Sequence, residues 1–210
     1  MNLFPVVTLE AIIDDHERIN KQLLTEIEPL FGDNIDKRVL SYKWYDFLVT
    51  KEKHQLGYTS FNTSSLTELP QFKFFYDHIE PLITDFFAQL QFFGEWTFTN
   101  SWASVYPKGA WIPAHDHKPF HWSAAYYVKV HPGCGDIAFT DPKEYALQNE
   151  PANTMHRGNM MHRVTPQNGM LLMFPSYLKH ETFPNETDED RVIISFNIKT
   201  GPKEFIVCPD

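Results

Sequence analysis

The sequence predicts an α+β fold in which helices come first and an antiparallel β-sandwich or barrel follows. Three observations carry this. Between Leu9 and Gln91 apolar residues recur at helical spacing. Beyond Gly94 the chain breaks into short β-type segments separated by turn pairs such as Pro132-Gly133, Asp141-Pro142 and Asn168-Gly169. In the last segment, Arg191–Thr200, Val192, Ile194, Phe196 and Ile198 alternate with Arg191, Ile193, Ser195 and Asn197, so one face is apolar and the other partly polar.

From Leu9 to Leu30, the residues Ile12, Ile13, Ile19, Leu23, Leu24 and Ile27 fall between charged positions, which predicts a one-faced helix with Thr8 as its N-cap. A second helix is predicted over Gln71–Gln91, with Phe72, Phe75, Ile79, Leu82, Ile83, Phe86 and Leu90 along one stripe and Pro81 marking a kink or a break. Asp33–Leu69 is mixed, with a strand-like stretch over Trp44–Val49 and a Ser/Thr/Asn-rich stretch over Tyr58–Thr67. The predicted strands are Trp96–Tyr106, Trp122–Val130, Ile137–Thr140, Met170–Phe174 and Arg191–Thr200. Asp141–Gln167 is a long connection without periodicity, to be read as a lid or a plain surface excursion. In it Met155-His156-Arg157 is echoed by Met161-His162-Arg163, and Arg157 and Arg163 are its candidates for substrate capture.

With 210 residues and 24.6 kDa, the chain has the length of a single domain: 1–95 as a mainly helical support, 96–200 as the core and 201–210 as a tail. Hydrophobic residues at 42% and aromatics at 15% are enough to bury a core without covalent staples. A formal charge of −9 argues against nucleic acid held by phosphate neutralisation. Cys134 and Cys208 are too few for a disulfide framework, and the N-terminus lacks a secretory pattern. No apolar run reaches membrane-span length, so a cytoplasmic protein is expected, and a homodimer if it associates.

His115 and His117 stand two apart, and His180 and then Arg191 follow. On an extended chain residues two apart share a face, so both imidazoles can reach one metal ion while Asp116 points away. A third imidazole from His180 would complete a three-ligand set with open positions, the arrangement of mononuclear non-haem iron sites. Arg191, on the polar set of its strand, can hold a carboxylate through two parallel hydrogen bonds. Ser123, Ala125 and Tyr127 share one strand face and leave room there for a small ligand. Trp102, Trp111, Phe120 and Trp122 either line an aromatic pocket or belong to the core.

The series Ser101-Trp102-Ala103, Gly109, His115-x-His117, Ser123-x-x-Tyr126-Tyr127-Val128, Phe139-Thr140-Asp141-Pro142, Gly169-x-Leu171-Leu172-x-Phe174-Pro175-Ser176, His180 and Arg191 through Asn197 resembles the Fe(II)- and 2-oxoglutarate-dependent dioxygenase superfamily, within it a group of uncharacterised oxygenases. The resemblance implies a double-stranded β-helix (jelly-roll, cupin-like) core with the helices packed on one sheet. It implies Fe(II) on His115 and His180, and 2-oxoglutarate on Arg191, Tyr127 and Ser123 or Ser195. It further implies hydroxylation of a small molecule or a protein side chain, with release of succinate and CO₂. Much of that superfamily has Asp or Glu two residues after the first histidine, where this chain has His117. Strand parity favours His117 as the ligand; Asp116 and water are the alternatives. A cupin-type metal enzyme that does not use 2-oxoglutarate and a non-enzymatic ligand-binding barrel are the rival readings.

Overall fold

The structure, a computed structural model, describes residues 5–31, 57–61, 64–143 and 161–202. The predicted strand at Trp44–Val49, Arg157 and Cys208 lie outside them. In chain order the elements are β1 (Leu9–Ile12), α1 (His16–Phe31), β2 (Tyr58–Thr59), α2 (Lys73–Gln89), β3 (Glu95–Tyr106), β4 (Trp122–Lys129), β5 (Ile137–Thr140), β6 (Met161–Val164), β7 (Met170–Pro175), β8 (His180–Thr182) and β9 (Arg191–Gly201). Among these residues no helix is long and apolar enough to cross a membrane.

The first predicted helix is corrected by this arrangement. Leu9–Ile12 is an edge strand, paired antiparallel from Leu9↔Met173 to Ile12↔Met170, and Thr8 caps nothing. Leu9 and Ala11 turn towards the protein while Glu10 and Ile12 face solvent, a two-residue period that the helical stripe had absorbed. Asp15, at φ 56°, turns the chain into α1. From there Ile19, Leu23, Ile27 and Phe31 recur every four residues and are buried.

The second helix lies close to its prediction, entered through a 3₁₀ turn at Pro70–Phe72. It runs through Pro81 without a break. Pro81 is exposed on the helix surface, where water can reach the carbonyl of the preceding turn that its missing N–H leaves unpaired.

The strands form two antiparallel sheets, one of six in the order β1-β7-β4-β9-β3-β2 and one of three in the order β6-β5-β8. Alternation along the large sheet divides the interior in two. Ala124, Tyr126, Val128, Leu171, Met173, Ile194, Phe196 and Ile198 pack with the buried stripes of α1 and α2. Their neighbours Ala125, Tyr127, Leu172, Phe174 and Ile193 face the other way and join Ile137, Phe139 and Val164 of the small sheet. The helices therefore cover one face and leave the other to the small sheet. Polar groups in the helical layer are paired: the Tyr126 hydroxyl donates to Asn20 Oδ1 at 2.6 Å.

The connection from β6 to β7, which crosses from the small sheet to the large one, turns at Gly169 (φ 78°), where a Cβ would lie 2.3 Å from His16 Cγ. The turn and the start of α1 thus leave no room for a side chain. Strands β6 and β8 were not foreseen; each is three or four residues long, too short to show a period.

Candidate metal centre

His115 is set by an antiparallel bridge to His180. Its N–H donates to the His180 carbonyl and the His180 N–H to the His115 carbonyl, both at 3.0 Å. Two residues on, the His117 N–H donates to the Ser176 carbonyl at 2.9 Å. The segment before β4 is thereby stitched to the turn between β7 and β8, and three imidazoles converge. One ligand atom from each lies within 4.8 Å of those of the others.

The other side of each ring explains which nitrogen is offered. The Nδ1–H of His115 donates to the Pro113 carbonyl at 2.9 Å, that of His180 to the Leu178 carbonyl at 3.0 Å, and that of His117 to Asn197 Oδ1 at 3.0 Å. A carbonyl oxygen only accepts, so Nδ1 carries the proton in all three and each Nε2 keeps its lone pair. Nε2 of His117 is buried without any hydrogen-bond partner. Three inward lone pairs, one of them orphaned in the protein, fit a soft-to-borderline divalent ion.

The electrostatics agree. Burial lowers the basicity of all three rings, and mutual repulsion adds to it for His117 and His180. His117 is lowered to about 4 and His180 well below its ordinary value. The cluster is therefore neutral at neutral pH, as metal ligation requires. Trp102 stacks on the His117 ring at 5.8 Å between centroids, and Phe174 meets His180 edge-on at 4.7 Å. Asp116 is engaged elsewhere: its carboxylate pairs with Lys118 Nζ at 3.2 Å.

The histidines open on a cavity of about 240 Å³ that reaches Arg191. Arg191 is 1% exposed. Its Nη1 donates to the carbonyls of Cys134 (2.8 Å), Gly135 (3.0 Å) and Phe183 (3.4 Å), its Nη2 donates to Thr182 Oγ1 (3.2 Å), and its Cζ lies 4.4 Å above the Tyr106 ring. Every one of these partners is neutral, and no carboxylate among the described residues forms an ion pair with it. A buried cation without a counter-charge costs several kcal/mol, roughly, so this end of the cavity favours an anion. Tyr127 lines the same wall, and burial holds its phenol protonated, as a donor.

The structure brings His115, His117, His180, Arg191 and Tyr127 around one space. It places Ser123 behind His117, with its hydroxyl on Asn197 Oδ1 and Ser176 Oγ, both at 2.7 Å. The hydroxyl beside Arg191 belongs to Thr182, two residues after His180 and on the same face of the strand. Parity from His180 could have found Thr182, as parity from Arg191 could have found Asn197. Trp102 and Phe120 line the cavity, whereas Trp122 packs edge-on against Phe86 and Phe87 in the helical layer. Arg163, a candidate for substrate capture, instead stacks on Phe183 at 4.0 Å and is not part of the cavity wall.

Residues 100–197 match a family model described as "Putative 2OG-Fe(II) oxygenase". Over that stretch, just under half of its length, the chain is similar to the 2OG-Fe(II) oxygenases. The match indicates an oxidoreductase whose cofactors are Fe(II) and 2-oxoglutarate, in keeping with the three histidines. No curated protein sequence matches the chain.

Solved structures of the same fold include a prolyl-4-hydroxylase from Pseudomonas putida, 14% identical, with a TM-score of 0.57 over 93% of this chain and 94% of that one. A prolyl hydroxylase from Trichoplax adhaerens, in complex with a peptide fragment of a hypoxia-inducible factor, is 14% identical, with a TM-score of 0.58 over 90% and 82%. HygX from Streptomyces hygroscopicus, with nickel, 2-oxoglutarate and hygromycin B bound, is 13% identical, with a TM-score of 0.61 over 95% and 84%.

Proposed function

We propose that this protein is an Fe(II)- and 2-oxoglutarate-dependent dioxygenase that hydroxylates its substrate inside a double-stranded β-helix core. The observation that supports this best is one cavity with three convergent imidazole lone pairs at one end and a buried, unneutralised guanidinium at the other. His115, His117 and His180 would hold the iron. Arg191 would take the distal carboxylate of 2-oxoglutarate, with the Tyr127 phenol and the Thr182 hydroxyl as neighbouring donors.

When bound, iron and 2-oxoglutarate together supply an oxidant from O₂, with release of succinate and CO₂. The chain's own contribution is placement. Three carbonyl acceptors fix the three ring orientations before any ligand arrives, so little has to reorganise on binding. Ile137, Ile193 and Phe174 line the same cavity with apolar surface and would help keep water from the reacting centre. Trp102, Phe120 and Asn100 line the cavity as well and would hold the substrate against the iron.

The substrate class follows the fold neighbours only in breadth: one is bound to hygromycin B and another to a peptide. A small molecule or a protein side chain is the corresponding proposal here. A metal enzyme independent of 2-oxoglutarate is the second reading, favoured by the third histidine where much of the superfamily has a carboxylate. Succinate release separates the two. With Fe(II), a mild reductant, air and 2-oxoglutarate, the wild-type protein should form succinate, and His180→Ala and Arg191→Met should not. A protein that binds iron yet leaves 2-oxoglutarate untouched would overturn the first reading in favour of the second.

A further inference from the structure

A run of side-chain amides leads from the metal centre back to the cavity wall, and its polarity is set by His117. Asn197 Oδ1 accepts from the His117 ring at 3.0 Å and from the Ser123 hydroxyl at 2.7 Å. An imidazole that offers Nε2 to a metal has its proton on Nδ1, so Asn197 must turn its oxygen to the ring and its nitrogen away. That nitrogen donates to Asn100 Oδ1 at 2.8 Å, while the Thr99 hydroxyl donates to the Asn197 backbone carbonyl at 3.0 Å. With its oxygen held by the Asn197 amide, Asn100 directs its NH₂ away from Asn197. Asn100 lines the cavity with Trp102 and His117, and among the described residues its NH₂ meets no acceptor.

We propose that Asn100 is a substrate-binding residue whose amide N–H donors select a substrate carrying an oxygen acceptor, such as a carbonyl or carboxamide, beside the C–H bond that reacts. Asn197 is then the positioning residue that orients Asn100 and His117 together. A cationic or donor-only group at that place would leave both itself and the amide unpaired, which is how a polar site rejects the wrong substrate. The inference rests on the three-imidazole reading of the metal centre.

The test uses the full chain, with zinc(II) as a redox-inert probe of the metal centre and acetamide as the smallest amide probe of the cavity. In ¹⁵N-labelled protein, zinc should shift the side-chain amide resonances of both Asn197 and Asn100. Asn197→Leu should weaken zinc binding by about 10–100-fold and add no further loss in a His117→Ala background. Acetamide should move the Asn100 NH₂ resonances of the zinc-loaded wild-type protein and should not move them in Asn197→Leu.

Several results would overturn the proposal: unchanged zinc affinity in Asn197→Leu, an equal loss with and without His117, or Asn100 resonances indifferent to acetamide. If Asn197→Leu does not fold, the wild-type shifts decide. Zinc affinity unaltered in His117→Ala would sink the three-imidazole reading and this inference with it. A loss in His117→Ala with none in Asn197→Leu would sink this inference alone.

Discussion

Arg191→Met keeps most of the buried stem and removes the charged fork, and the geometry sets the size of the effect. A guanidinium carries five N–H groups. In Arg191 the two on Nη1 are taken by the carbonyls of Cys134, Gly135 and Phe183, and one on Nη2 by Thr182. One N–H on Nη2 and the N–H on Nε remain, the side-on pair that matches a carboxylate. Two charge-assisted hydrogen bonds at about 1.5–3 kcal/mol each amount to about 3–6 kcal/mol. At about 1.4 kcal/mol per decade, the dissociation constant for 2-oxoglutarate should rise by about 10²–10⁴-fold. Calorimetric titration of the zinc-loaded protein measures this directly, and zinc affinity itself should stay within a few-fold of wild type. A variant that binds 2-oxoglutarate within about threefold of wild type would refute the assignment of the buried guanidinium.

Other outcomes follow from the same geometry. Gly135→Ala places a Cβ 2.2 Å from the Phe183 carbonyl at φ 90°, so two of the carbonyls that hold Arg191 must move. Thermal denaturation should show a loss of about 1–3 kcal/mol or more, together with weaker 2-oxoglutarate binding; an unchanged melting temperature would contradict the contact. For pH, His117 is lowered from 6.5 to about 4 when folded, so below pH 6.5 the unfolded chain binds more protons than the folded one. This contribution to stability is complete above pH 6.5 and is lost as the pH falls towards 4. Urea unfolding of the metal-free protein across that window checks the sign, and His117→Ala should flatten the slope. Tyr126→Phe leaves Asn20 Oδ1 buried without its donor and should cost about 1–3 kcal/mol in the same assay, without altering metal affinity.

Much of this was legible in the sequence because alternation and parity are strict in sheets. The two-residue step from His115 to His117 and the run Arg191, Ile193, Ser195, Asn197 each named a face, and those faces line the cavity. What failed was local. Leu9–Ile12 has apolar residues compatible with either period, and only pairing with Met170–Met173 settles it as a strand. Strand β8 holds His180 and Thr182 in three residues and becomes a strand through its neighbour β5. The environment of Arg191 was equally unreadable, because it is made of backbone carbonyls, two from the distant Cys134-Gly135 stretch and one from Phe183. Ser123 shares a face with Tyr127 as parity requires, yet the hydroxyl is drawn behind His117 by Asn197 and Ser176.

The most direct test of the central claim is an anaerobic titration of the metal-free protein with Fe(II) and then 2-oxoglutarate, followed by visible absorption. A weak charge-transfer band is expected that needs both additions, saturates at one equivalent of each, and is absent in His117→Ala and Arg191→Met. Iron binding without any band in the wild-type protein would contradict the use of 2-oxoglutarate, and a full-strength band in His117→Ala would contradict the three-imidazole centre.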